Sequence, residues 1–536
     1  MRRVIPPVLA LIAVAAMSVV VAPASAGRTT RGATEEAFCE THVGNCPDTR
    51  THRNYEGDYV GHDEPAVLFY STRAGSGNSN TWRLQLPHEA PLMPTQDRTG
   101  GTWGFQQRIT FWFGMALCET QSYPNPGKTC PADSDGNIKD NPDPSSPDWI
   151  GNHVGTGFME LQFYPPGWTP VIVGTSCDPT QWCAAMAIFG LSDSLTQANN
   201  ADCLSRAGEE WANFAFLTKN GTPQGPPDPL GFTAQTFVPD PTKTLFMNAG
   251  DQLRVSIHDS SAGLVTAVHD DTTGQTGSMT ASIANGFAHP LFQPDASTCT
   301  EAPYAFHPMY STSGPHTRVP WAAHSYNVAF SDEIGHFEYC DKASTQRRCV
   351  TPGGNDPKVD GDDTGCFNPS ASLLVQVGGC IGTDIDFDGE SYQAGWPGSF
   401  TNVAADQRLH SGSVVFTSPL TGGLNYDRVA FEADLPAIEG SCDGLTGAGC
   451  VNPPPASNFY PIYTTTGSGS CGWRQGGTHM PGTLRTFGGS SVTEYGKLRA
   501  LFYADFPGFP GTTAFFENFK RVMASNPCVS TGSLPG

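Results

Sequence analysis

Apolar and polar positions alternate with a period of two through the first half of the chain. Over 105–113, Phe105, Ile109, Phe111 and Phe113 fall on one side, and Gln106, Arg108, Thr110 and Trp112 on the other. The run 157–164 reads Gly-Phe-Met-Glu-Leu-Gln-Phe-Tyr, with Met159, Leu161 and Phe163 opposite Glu160 and Gln162. Residues 211–217 alternate in the same way. Successive side chains of a strand leave on opposite faces, so this pattern in aromatic-rich segments predicts half-buried antiparallel strands. Shorter strand signals stand at 66–70 and 81–86. Connections rich in Pro, Gly and Asp, such as 140–147, predict surface loops.

The clearest local unit is 249–282. Gly250-Asp251 predicts a turn, 252–259 a strand, 264–270 its partner, 272–275 a second turn and 278–282 the returning strand. That is a three-stranded meander. Further strands are expected at 325–330, 337–340, 413–417 and 428–433. Phe515, Phe516, Phe519, Val522 and Met523 recur at helical spacing and predict a closing helix. The expected fold is mainly β. An antiparallel β-sandwich of jelly-roll type spans 65–340, after an N-terminal loop segment over 27–64. A Cys/Asp/Gly-rich loop region follows over 341–400, and a smaller α+β part over 401–536.

The N-terminus adds a compartment. Arg2 and Arg3, an apolar run from Val8 to Val21 and Ala24-Ser25-Ala26 before Gly27 have the form of a secretory signal peptide over 1–26. No second long apolar run follows, so no membrane span is expected, and the protein is expected to be secreted. In an oxidising space sixteen cysteines, an even set with no Cys-x-x-Cys, predict a disulfide framework before any zinc site. Short spans suggest Cys39–Cys46, Cys118–Cys130, Cys442–Cys450 and Cys177–Cys183. A formal net charge of −22 repels nucleic acid and anionic lipid.

Three constellations could carry chemistry. Glu160 and Gln162, two apart on a strand, share a face. Gln106, Arg108 and Trp112 from a neighbouring strand would line it for a sugar or a peptide. There Glu160 would act as general acid, with a second carboxylate as base or nucleophile. The alternative is a solvated outer strand face. His307, His316, His324 and His336 lie within 30 residues, with Asp332, Glu333 and Glu338 among them. A metal or acid–base site, with His336 and Glu338 as its core, stands against hydrogen-bonded loop anchors beside Pro308, Pro315 and Pro320. Asp384-Ile385-Asp386-Phe387-Asp388-Gly389 has the alternating aspartates and closing glycine of a calcium loop, although Gly395 stands where an EF-hand carries its glutamate. Asp384, Asp386 and Asp388 would hold a structural Ca2+; the alternative is an acidic turn.

The segments Met-Glu-Leu-Gln-Phe-Tyr-Pro-Pro-Gly-Trp (159–168), Ala-Gly-Asp-Gln-Leu-Arg-Val (249–255) and Thr-Thr-Gly-Gln (272–275) resemble those of the eqolisin-type glutamic peptidases. The resemblance covers about a fifth of the chain. It implies a two-sheet, concanavalin-A-like sandwich. The family's catalytic glutamate lies in an Ala-Glu-Trp-Ile-Val-Glu motif soon after the meander. Here the corresponding stretch reads Phe-Ala-His-Pro-Leu-Phe (287–292), so no catalytic residue is carried over. The chain as a whole also has the texture of actinobacterial secreted proteins. Two readings follow: a secreted hydrolase of an extracellular polymer, glycan or peptide, acting through carboxylates, or a non-catalytic glycan-binding or surface-interaction protein.

Overall fold

The computed structural model describes residues 66–71, 73, 75–89, 91, 111–122, 156–166, 177–194, 197–208, 210–308, 328–332, 340–343, 349–352, 414–436, 463–466, 472–475, 498–503, 514–522, 526 and 528. The signal segment, the 27–64 loop, Gln106, Arg108, His316, His324, His336, Glu338 and the three calcium-loop aspartates lie outside them. So do Cys39, Cys46, Cys130, Cys442 and Cys450.

Two antiparallel sheets pack face to face. The strands of the first half are β1 (Ala66–Tyr70), β2 (Ser79–Gln85), β3 (Phe111–Cys118), β4 (Thr156–Tyr164), β5 (Cys183–Leu191) and β6 (Glu210–Phe216). The meander is β7 (Gln252–His258), β8 (Val265–Asp270) and β9 (Thr276–Thr280). Then come β10 (Ala288–Pro290), β11 (Glu301–Pro303), β12 (Val328–Asp332), β13 (Val415–Thr417), β14 (Arg428–Pro436), β15 (Tyr463–Thr466), β16 (Gly472–Gln475), β17 (Leu498–Tyr503) and β18 (Ala514–Val522). The first sheet runs β17-β18-β14-β1-β12-β3-β4-β5-β6, and the second β9-β8-β7-β2-β13-β16-β15. The two short helices used below are α1 (Ala201–Arg206) and α2 (Ala234–Phe237).

The second sheet keeps the expected alternation. In β7, Leu253, Val255 and Ile257 are buried, while Gln252, Arg254 and His258 face out. Against it the first sheet sends Phe113, Met159, Leu161 and Phe163, and aromatic rings lock the two layers together. Phe330 and Phe416 have centroids 3.9 Å apart, Trp82 and Phe113 4.6 Å, and Phe69 and Trp473 6.3 Å. Each large apolar side chain so buried contributes about 1.5–3 kcal/mol.

The first sheet departs from the half-buried expectation. All eight residues of β3 are buried, and the second face of β4 and β5 is buried as well. Part of the cover is seen at β6, where Ala212, Phe214 and Phe216 take the outward positions. Phe214 of β6 packs on Phe237 of α2 with centroids 5.3 Å apart, and Phe237 meets Phe232 at 4.9 Å. The helix and its loop thus cover this side of the sheet at β6.

The chain end also corrects the sequence pattern. Residues 514–522 form strand β18, not a helix, bonded to β14 on one side and β17 on the other. The spacing of Phe515, Phe516 and Phe519 fits either period, and pairing with two waiting strands decides it. Strands β14, β17 and β18 enter the first sheet and β13, β15 and β16 the second, so the segment after 401 contributes to both layers of the sandwich.

Candidate functional site

Glu160, Gln162 and Tyr164 occupy alternate positions of β4, on the face turned away from the second sheet. They form a hydrogen-bonded ladder. The Tyr164 hydroxyl donates to Gln162 Oε1 at 2.6 Å, and Gln162 Nε2 donates to Glu160 Oε2 at 2.7 Å. Period two stacks the three side chains along the strand, and the phenol at one end sets the orientation of the amide. Glu160 and Gln162 are 5% and 1% exposed, so this is not the solvated strand face of the alternative reading.

The neighbours on that face are small beside the carboxylate and large around it. Glu160 lies in register with Gly114 of β3 and Ala187 of β5; Gln162 lies in register with Trp112 and Ala185. At Gly114 a Cβ would meet the Phe158 ring at 2.5 Å and Trp112 Cζ3 at 2.8 Å. Glycine there lets two rings close over the strand next to Glu160. Trp112, expected as a binding residue, is itself buried and packs edge-on against Phe158 with centroids 5.9 Å apart. Neither strand neighbour of Glu160 in this register is acidic, and the Gln162 amide is one of its polar partners. A carboxylate beside an oriented carboxamide can take a proton from water, while the second amide hydrogen can stabilise a developing oxyanion.

A second buried cluster escaped the sequence pattern. Glu119, one residue past β3, places Oε1 2.5 Å from Nδ1 of His289 on β10. Its other oxygen accepts the backbone N–H of Gln121 at 2.8 Å and that of Ser122. The His289 ring stacks on Tyr304, with centroids 4.3 Å apart and planes 20° from parallel. Burial pushes the Tyr304 phenol well above its ordinary range, with Glu119 adding to the shift and a hydrogen bond with Thr120 opposing it. Strand β10 is held by the Asn213 side chain, which donates to Ala288 O at 2.8 Å and accepts from Ala288 N at 3.0 Å. No local motif announces this cluster, because its members lie 170 positions apart.

Other expected residues have structural partners. His307 places Nδ1 2.8 Å from Asp259 Oδ1, and its short strand pairs with the end of β3. Asp251, from a segment that carries the family resemblance, and Asp270 are both buried at turns of the meander. Asp251 accepts Asn248 N at 2.6 Å, and Asp270 accepts Thr272 N at 2.8 Å. Burial raises the Asp251 carboxyl above its usual range, and the neighbouring Asp270 adds to this against the Asn248 hydrogen bonds. Gly250 has φ +85°, and a Cβ there would meet the His88 ring at 2.4 Å. The Ala-Gly-Asp segment is therefore accounted for by turn geometry.

Among the described cysteines none is free. Cys177–Cys183 forms as expected, with alpha-carbons 5.5 Å apart, and Cys203–Cys299 joins α1 to a loop 96 residues on. Among the described residues no helix is long and apolar enough to cross a membrane.

A solved structure of scytalido-glutamic peptidase with a peptide-based transition-state analogue is similar to 78% of this chain over 99% of its own. The likeness is at 11% identity and a TM-score of 0.22. No protein-family model matches the chain, and no curated protein matches it.

Proposed function

We propose that the protein is a secreted hydrolase of an extracellular polymer, glycan or peptide, with Glu160 as its proton-transferring carboxylate. The observation that carries this is the Tyr164–Gln162–Glu160 ladder. An isolated buried carboxylate is costly, and chains retain one where its chemistry is used or where a network satisfies it. In this reading Glu160 withdraws a proton from the attacking water, and Gln162, aimed by Tyr164, donates to the oxygen on which charge develops. Disulfides suit an exported enzyme, and a structural Ca2+ at Asp384, Asp386 and Asp388 would rigidify its loop region.

A second reading draws on the depth of the same ladder. Three side chains so fully buried also suit a non-catalytic glycan-binding or surface-interaction module, in which the ladder only tethers β4. The test is a screen of the protein on polysaccharide and protein substrates beside the Glu160→Gln variant. Turnover lost in the variant supports the hydrolase. Turnover unchanged by Glu160→Gln removes it.

A further inference from the structure

The outer face of the second sheet carries a row of basic side chains that the core does not require. Arg83 of β2 lies directly opposite Arg254 of β7, and Arg254 opposite His269 of β8; Thr276 of β9 ends the row. Like charges set directly across a strand pair destabilise a sheet. The chain has 29 Lys and Arg against 51 Asp and Glu, so cations are scarce and their alignment is the less expected.

One carboxylate holds the row in place. Asp271 Oδ1 accepts from Arg254 Nε at 2.6 Å, and Oδ2 from Arg83 Nη1 at 3.1 Å. His269 keeps Nδ1 2.7 Å from Thr276 Oγ1 and Nε2 3.5 Å from Asp271. Each guanidinium has five N–H donors in a fixed fork, and Asp271 engages one from each. The Arg254 and Arg83 side chains remain 50% and 38% exposed. Two guanidiniums fixed side by side, with most donors turned to solvent, make a receptor for a second planar carboxylate.

The setting chooses among carriers of that carboxylate. Strands β8, β7 and β2 are interior strands whose backbone groups are already paired, so no sheet edge is offered to a peptide. Beside the row stand Thr81, Ser256, Ala267 and Ser278, which form no apolar pocket. The hydroxyls of Thr81, Ser256 and Ser278, on strands about 5 Å apart, suit the hydroxyl-rich surface of a sugar chain.

We propose that Arg83 and Arg254 form a binding site for the carboxylate of an acidic polysaccharide, a polyuronate laid across the outer face of the second sheet. This does not depend on Glu160, which belongs to the other sheet. The experiment measures binding of the full chain to polygalacturonate, to its methyl ester and to poly-L-glutamate. Polygalacturonate should bind, and its methyl ester and poly-L-glutamate should not. Arg254→Gln should weaken binding by about tenfold or more, as expected for lost charge-assisted hydrogen bonds. Asp271→Asn removes the one negative charge beside the pair, while its amide oxygen can still accept a guanidinium N–H, and should bind several-fold more tightly, a gain that a misfolded variant would not show. Equal binding by wild type and Arg254→Gln, weaker binding by Asp271→Asn, or no binding by wild type would overturn the proposal. So would binding to poly-L-glutamate as tight as to polygalacturonate, which would make the occupant a peptide.

Discussion

Glu119 and His289 lie 170 residues apart in sequence and meet with 2.5 Å between Oε1 and Nδ1. The contact ties the end of β3 to β10, which Asn213 of the edge strand β6 also grips through Ala288. Both partners are buried, and two backbone N–H groups complete the shell of the carboxylate.

His289→Ala would leave that carboxylate without its side-chain partner and the Tyr304 ring without its stacked neighbour. Leaving a buried group short of a hydrogen-bond partner costs about 1–3 kcal/mol, and more for a carboxylate. Urea unfolding should show a loss of that size, while a loss under 1 kcal/mol would mean that the backbone donors suffice.

Tyr164→Phe removes only the hydroxyl that orients Gln162. The buried amide oxygen then loses the Tyr164 hydroxyl as donor, at a cost of about 1–3 kcal/mol. If Glu160 and Gln162 are catalytic, kcat should fall more than KM rises, because the amide loses its aim rather than its contact with substrate. A stability loss with kinetics intact would assign the ladder to folding alone.

Glu301 gives the pH dependence a sign. Burial raises its carboxyl to about 7, helped by a hydrogen bond and repulsion from Asp228 and opposed by the Leu230 N–H and Arg206. Because the folded state holds the proton more tightly, the associated stability is present below the ordinary value of 4.5 and is lost as pH rises through about 7. Asp251, also raised, acts in the same direction. The melting temperature of Glu301→Gln relative to wild type should therefore rise between pH 4.5 and pH 7. A difference that stays flat across this window would contradict the assignment.

The disulfide between Cys203 and Cys299 closes a span of 96 residues. Its replacement by two serines should cost about 2–5 kcal/mol, by loss of the constraint on the unfolded chain. Thermal unfolding under non-reducing conditions would show it. An unchanged midpoint would mean that α1 stays docked by its other contacts, such as Cys299 N to Asp202.

The sandwich was legible because local period-two alternation reports which face of a strand is buried, as Met159, Leu161 and Phe163 show. The shared face of Glu160 and Gln162 followed from the same rule, and Tyr164 extends it by one more step. Burial of that face was not legible, since alternation places Glu160 and Gln162 on one face without saying what packs over it. The Glu119–His289 pair was hidden for the same reason. At 514–522 the apolar spacing fitted two periods, and only the partner strands distinguish them.

The role proposed for Glu160 is that of a catalytic carboxylate. It is tested most directly by comparing wild type and Glu160→Gln on the polysaccharide or protein substrate that wild type turns over fastest, with melting temperatures measured alongside. Wild type should turn it over and the variant should lose about 10²-fold or more, the scale of a positioned acid or base, with folding retained. Turnover by Glu160→Gln at the wild-type rate would contradict it, as would a wild type inert on every polymer offered.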